Sequence, residues 1–255
     1  MGAVVEVGRD GTPGVGRAVE GMTELFAVTC PSAETCIATG NVQSNLPNWP
    51  YYQLTPAFVV ISNGVPGPPQ DFPRGTRQAV GIDCPTATRC LVVGRSGFIV
   101  PMNLAGRWLP SGHRYSISPG SGYPTDKISC PSSTTCYATA AGFIPTPEGA
   151  YLMVPAMMAV SADGVAVPVQ VLSHERGYSA DISCLFGRTC TLAVEGHDPV
   201  GGVVIDVFRG TPVAVTRYAN SAWFYALSCV APATCGVVGN MPTYAVFAWH
   251  GPVPA

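Results

Sequence analysis

Charge is what this chain has least of. Charged residues make up 11% of its 255 positions, against roughly 25% in an average soluble domain. Thirteen Lys and Arg balance fifteen Asp and Glu to a net −2, and the cations are scattered. Neutralising phosphates takes clustered cations, so a nucleic-acid partner is excluded. Long apolar runs are missing as well. The longest, Tyr151 to Val160, is interrupted by Pro155 and falls short of the ~20 residues that span a bilayer, so no membrane span is expected. No Gly-x-Ser-x-Gly nucleophile motif occurs, and no cysteine is left over from the pairs described next.

What is present is a phrase repeated five times. It reads Val28-Thr29-Cys30-Pro31-Ser32-Ala33-Glu34-Thr35-Cys36 and returns around Cys84 and Cys90, Cys130 and Cys136, Cys184 and Cys190, and Cys229 and Cys235. Successive first cysteines stand 54, 46, 54 and 45 residues apart. Periods of this length mark stacked supersecondary units, propeller blades among them. In each copy an apolar-polar alternation enters the first cysteine, a turn rich in Pro, Ser, Thr and Ala follows, and a short apolar run leaves the second. That pattern reads as a β-hairpin, and antiparallel partners across the turn bring two cysteines within disulfide range. Zinc is the competing reading, but zinc knuckles favour two to four intervening residues, and no His recurs beside these pairs. Five structural disulfides are expected, and with them an oxidising compartment.

A second phrase lies between the hairpins: a β-rich run, a Gly turn and another run. Phe58-Val59-Val60-Ile61-Ser62-Asn63-Gly64 and Met158-Ala159-Val160-Ser161-Ala162-Asp163-Gly164 are two of its six copies. Asn-Gly and Asp-Gly supply the left-handed backbone of tight hairpin turns. This order of strands and turns, with Ser161-Ala162-Asp163-Gly164 as the nearest copy of an Asp-box, resembles the repeats of sialidase-type Asp-box and photosystem-assembly-factor-like β-propellers. The Cys-Pro-Ser-x-x-x-Cys variant is similar to bacterial propellers of an actinobacterial type. The resemblance implies an all-β β-propeller of four-stranded antiparallel blades, each carrying one stapled hairpin, and counting the hairpins makes it five-bladed, with a fragment of a larger ring as the alternative. It covers one domain over residues 1–255, with units near 20–75, 76–122, 123–177, 178–221 and 222–255. Residues 1–19 are expected to close the ring by lending an N-terminal strand to the last blade. In such a ring the Asp-box is a structural turn and implies no activity.

The cysteine turns and Gly turns repeat, whereas the loops of the opposite face differ from unit to unit. These loops hold the candidate ligand-binding residues Trp49, Tyr51, Tyr52, His113, Arg114, Tyr115, Tyr151, Arg176, Tyr178, His197, Tyr218 and Trp223. Variable loops on a rigid scaffold are where binding concentrates, and Tyr and Trp suit stacking on a sugar or packing on a protein. The expected function is a non-catalytic binding module with one asymmetric site for a glycan, another cell-surface component, a small molecule or a protein. The alternative is a carbohydrate-active or secondary-metabolism enzyme, because glycosidic chemistry needs paired carboxylates. Asp181, Glu148, Glu195 and Asp198, with His174 and Glu175, are its candidates. His174, Glu175, His197 and Asp198 are also chemically suited to a metal, but two adjacent pairs in separate loops make a weak pattern; neither metal nor cofactor is expected. On inner strands, Asp83, Lys127 and Asp181 are placed toward a central channel, with Lys127 and Asp181 as a structural ion pair. A monomer is expected. So is secretion, although Met1-Gly2-Ala3 leads straight into Val4-Val5-Glu6-Val7 with no signal peptide; a cytoplasmic location is the alternative if Met1 is native.

Overall fold

The computed structural model describes residues 2–5, 12–44, 53–72, 78–94, 98–104, 107, 113–114, 127–167, 169–174, 176–185, 189–196, 201–218, 223–231, 234–241 and 244–250, with backbone only at 44, 53, 113–114, 196, 223, 241 and 244–250. A short hairpin, β1 (Ala3–Val4) and β2 (Arg17–Ala18), comes first. Sheet I holds β3 (Met22–Thr29), β4 (Thr35–Ser44) and β5 (Gln53–Ser62), with β6 (Val65–Pro66) and β7 (Gln70–Asp71) both on the outer edge of β5. Sheet II is β8 (Ala79–Thr86), β9 (Arg89–Gly94), β10 (Phe98–Asn103) and β11 (His113–Arg114). Sheet III is β12 (Ile128–Ser129), β13 (Thr135–Pro145), β14 (Tyr151–Ser161) and β15 (Gln170–Val171). Sheet IV is β16 (Gly177–Leu185), β17 (Thr189–Gly196), β18 (Gly202–Phe208) and β19 (Thr211–Tyr218). Sheet V is β20 (Trp223–Ala231), β21 (Thr234–Met241) and β22 (Tyr244–His250). All pairings are antiparallel between chain neighbours, except that β5 takes both β6 and β7.

Each cysteine phrase forms the hairpin between the first two strands of a sheet, and all five disulfides are made: Cys30–Cys36, Cys84–Cys90, Cys130–Cys136, Cys184–Cys190 and Cys229–Cys235. The Gly turns lie on the same face, because Asn63 N–H donates to Glu34 O (2.7 Å) and Ala162 N–H to Thr134 O (3.1 Å). Asn63 and Gly64 both have positive φ, at 49° and 72°, as a two-residue hairpin turn of this hand requires. In the Asp-box-like turn Ser161 Oγ accepts from Val165 N–H at 3.1 Å and Asp163 pairs with Arg89 of the neighbouring sheet at 2.5 Å.

Strand alternation gives sheets II, III and IV two buried faces. Counting from each second cysteine, positions +1 and +3 point to the following sheet, while the cysteine itself and +2 point to the preceding one. Ile37 of sheet I thus packs with Ile82, Cys90 and Val92 of sheet II, and Leu91 and Val93 pack with Ile128, Cys136 and Ala138 of sheet III. Tyr137 then meets Ile182, Cys190 and Leu192, and Ala193 meets Phe224, Leu227, Cys235 and Val237. At about 25 cal/mol per Å² of apolar surface, each such Leu or Ile contributes about 2 kcal/mol.

Two expectations are corrected. Four sheets reach four strands or more, but sheet V has three, so the described residues form four full blades where five were expected. Nor does the N-terminal strand complete sheet V. β1 pairs with β2, and Gly2 N–H donating to Met22 O and Val19 N–H to Gly2 O bind this hairpin to the start of sheet I. Val19 and Met22 are buried with Ala38, Ala57, Val59 and Ile61, and this contact holds the N-terminus at sheet I. No core cluster among the described residues spans sheets V and I.

Candidate functional site

The polar row of the innermost strands has a structural task. Asp83 Oδ1 accepts from Thr29 Oγ1 of sheet I at 3.0 Å and from Cys84 N–H at 2.8 Å, and Oδ2 accepts from Cys130 N–H of sheet III at 2.7 Å. Ser129 Oγ accepts from Cys184 N–H at 2.9 Å, and Asp181 Oδ2 from Leu227 N–H at 2.8 Å. These bonds span each of the four junctions from sheet I to sheet V. Asp83 and Asp181 therefore reach sideways into neighbouring sheets instead of into a channel. Burial raises the Asp181 pKa above its ordinary value, while the bond from Leu227, the charge of Lys127 and the bond from Ile182 oppose that shift. Lys127 makes no ion pair with Asp181; its Nζ donates to Phe26 O at 3.3 Å. Asp181, tied to the Ile182 and Leu227 N–H groups, fastens sheet IV to sheet V.

On the variable face, the described residues bring together one pair of the groups singled out from the sequence. β16 and β17 set Tyr178 opposite Glu195, and the Tyr178 hydroxyl donates to Glu195 Oε2. His174 and Arg176, just before β16, are exposed. On sheet III the eleven-residue strands β13 and β14 run out to a tight turn in which Thr146 N–H donates to Ala150 O. Tyr151 stands at its base, 66% exposed, edge-on to Phe143 with centroids 6.5 Å apart, and Glu148 is exposed in the turn. Tyr218 instead packs edge-on to buried Phe224 at 5.3 Å; burial and then the charge of Asp206 raise its pKa. Trp49, Tyr51, Tyr52, Tyr115, Glu175, His197 and Asp198 lie outside the described residues, as do the side chains of His113, Arg114 and Trp223. Among the described residues no group of three His, Cys, Asp or Glu can hold a metal.

Sequence reasoning missed a groove of about 740 Å³ between the β1–β2 hairpin and sheet I, lined by Val4, Val15, Leu25, Val28, Ala38 and Ile61 among others. Its one signal was numerical, six Gly-turn phrases against five cysteine hairpins.

Sheets fastened side by side in chain order, each antiparallel and each with its first strand innermost, match solved structures of one architecture. The chain is similar to the WD40 domain of Neurospora crassa Pan2, with a TM-score of 0.63 and 11% identity over 99% of this chain and 71% of that one. It is a β-propeller. Hydrazine synthase of Kuenenia stuttgartiensis is similar over 87% of the propeller and 57% of its own chain, at 12% identity and a TM-score of 0.61. The RRP9 WD40 repeats match 87% of it and 58% of their own chain, at 10% and 0.55. At these identities the likeness is one of fold. No family model and no curated sequence matches the chain.

Proposed function

We propose that this propeller is a non-catalytic binding scaffold with one asymmetric site on its variable face, formed by sheets III and IV and centred on Tyr151, His174, Arg176, Tyr178 and Glu195. The observation that carries this reading is the Tyr178–Glu195 hydrogen bond beside the exposed His174 and Arg176. It fixes an aromatic ring and a carboxylate on rigid strands and leaves an imidazole and a guanidinium free to meet a partner. A planar cation and an exposed tyrosine are the groups that dominate binding surfaces, and they serve a glycan, a cell-surface component or a protein partner equally well. The same bond argues against turnover, since it occupies Glu195, and Asp181 is occupied in the belt between sheets. The five disulfides support an oxidising environment, and a secreted protein that meets ligands at a cell surface is the reading we attach to them.

The test is a screen against glycans and bacterial-envelope components, with product detection by mass spectrometry on the same samples and pull-down of protein partners alongside. Binding without products, weakened at least tenfold by Arg176→Ala and by Tyr151→Ala, is the expected result. Products whose formation stops with Glu195→Gln would overturn the reading in favour of an enzyme.

A further inference from the structure

The alternation that buries sheet III against sheet IV runs on up the projecting β13–β14 hairpin. Met157 packs with Ile182, Leu192 and Val194 of sheet IV, so Pro155, Met153 and Tyr151, at two-residue steps up β14, share the face toward that sheet. Tyr137 belongs to the same cluster, and the same steps put Phe143 and Pro145 on this face, paired with Met153 and Tyr151 in the ladder. Ser179 Oγ, on β16, donates to Ala156 O at 3.1 Å, and β14 and β16 both run from the variable face toward the face of the cysteine and Gly turns. At roughly 3.3 Å per residue, Arg176 therefore stands level with Met153, and Tyr151 one pleat further out. Arg176 and His174 are exposed, Tyr151 is 66% exposed and Met153 is half-buried.

Two chemistries thus meet where the hairpin of sheet III stands beside the rim of sheet IV. The wall is apolar, its one described polar side-chain group being the Tyr151 hydroxyl, and the rim beside it is cationic. Glu195 already accepts the Tyr178 hydroxyl, Glu148 lies out in the turn, and among the described residues Arg176 makes no ion pair. A glycan brings hydroxyls that such a wall has few polar groups to satisfy. Phe, Tyr, Met and Arg are instead the residues enriched in protein–protein interfaces. We propose, building on the scaffold reading above, that the occupant is a protein whose contacting segment sets an apolar side chain beside a carboxylate. The apolar group packs on Met153 and Tyr151, and the carboxylate takes both prongs of the Arg176 guanidinium, a geometry that lysine does not copy.

Fluorescence anisotropy on the intact, oxidised protein tests this with pools of labelled synthetic peptides in which a fixed Leu-Glu, Leu-Gln or Leu-Lys pair is flanked by random residues. A uronic-acid oligosaccharide and a neutral one run alongside. The Leu-Glu pool is expected to bind, and the other two about tenfold more weakly, the scale of one charge-assisted hydrogen bond. Arg176→Ala is expected to erase that preference and Arg176→Glu to move it to the Leu-Lys pool. Tyr151→Ala is expected to weaken Leu-Glu binding about tenfold. All three changes lie at exposed positions, and the variants are expected to melt like wild type. Equal binding of the three pools by wild type, no peptide binding, or a preference that Arg176→Glu leaves unchanged would overturn the proposal. Oligosaccharide binding weakened by Arg176→Ala and Tyr151→Ala would replace the protein partner but keep the site, whereas peptide binding untouched by either variant would remove the site itself.

Discussion

Replacing Asp83 with Ala removes the acceptor that ties three sheets together. Its carboxylate takes one hydroxyl and two backbone N–H groups, from sheets I, II and III. The Thr29 hydroxyl can turn to water, so little is lost there. The Cys84 and Cys130 N–H groups, both part-buried, lose this acceptor. A hydrogen bond to a charged group contributes about 1.5–3 kcal/mol net. Taking the lower end for two part-buried bonds gives a loss of about 3 kcal/mol, or roughly 6–12 °C in Tm for a domain of this size. Asp83→Asn keeps one oxygen and should cost about half as much. Guanidinium unfolding under non-reducing conditions, followed by tryptophan fluorescence, reads both variants. An Asp83→Ala protein within about 0.5 kcal/mol of wild type would refute the idea that the belt holds the sheets together, as would Asn and Ala variants of equal stability.

Asp181 carries a pH signature. Its folded pKa is raised by burial, so between the unfolded and folded values the native state binds more protons, and stability falls as pH rises through that window. Asp181→Asn has no such dependence, and its stability relative to wild type should improve as pH rises above the ordinary carboxylate range; a pH-independent difference would contradict the assignment. At Gly40 an added Cβ would run into the Glu24 carbonyl of the facing strand. Gly40→Ala should therefore cost at least about 1–3 kcal/mol in thermal unfolding, the usual range for overpacking, and an unchanged Tm would count against this close approach. Alkylation without reductant should label none of the ten cysteines. Replacing Cys130 and Cys136 together by Ser should cost about 2 kcal/mol, as the loop-entropy model gives for so short a loop.

The repeat was legible in the sequence because its causes are local. A cysteine pair across a Pro-Ser turn, alternating apolar residues and an Asn-Gly turn each dictate a hairpin within a dozen residues, and five such units leave few ways to bury their faces other than stacking. The disulfides, the antiparallel order and the face shared by the two turns followed from that. What the side chains of the inner row do was not legible. Asp83 and Asp181 look like channel residues when only the strand period is known, and the neighbouring sheet whose N–H groups they accept is about 50 residues away in the chain. Closure of the ring was decided in three dimensions as well. Whether the Ala3–Val4 and Arg17–Ala18 strands complete sheet V or lie against sheet I depends on which apolar face Val19 and Met22 can bury, a contest between two surfaces that the tertiary structure settles in favour of sheet I.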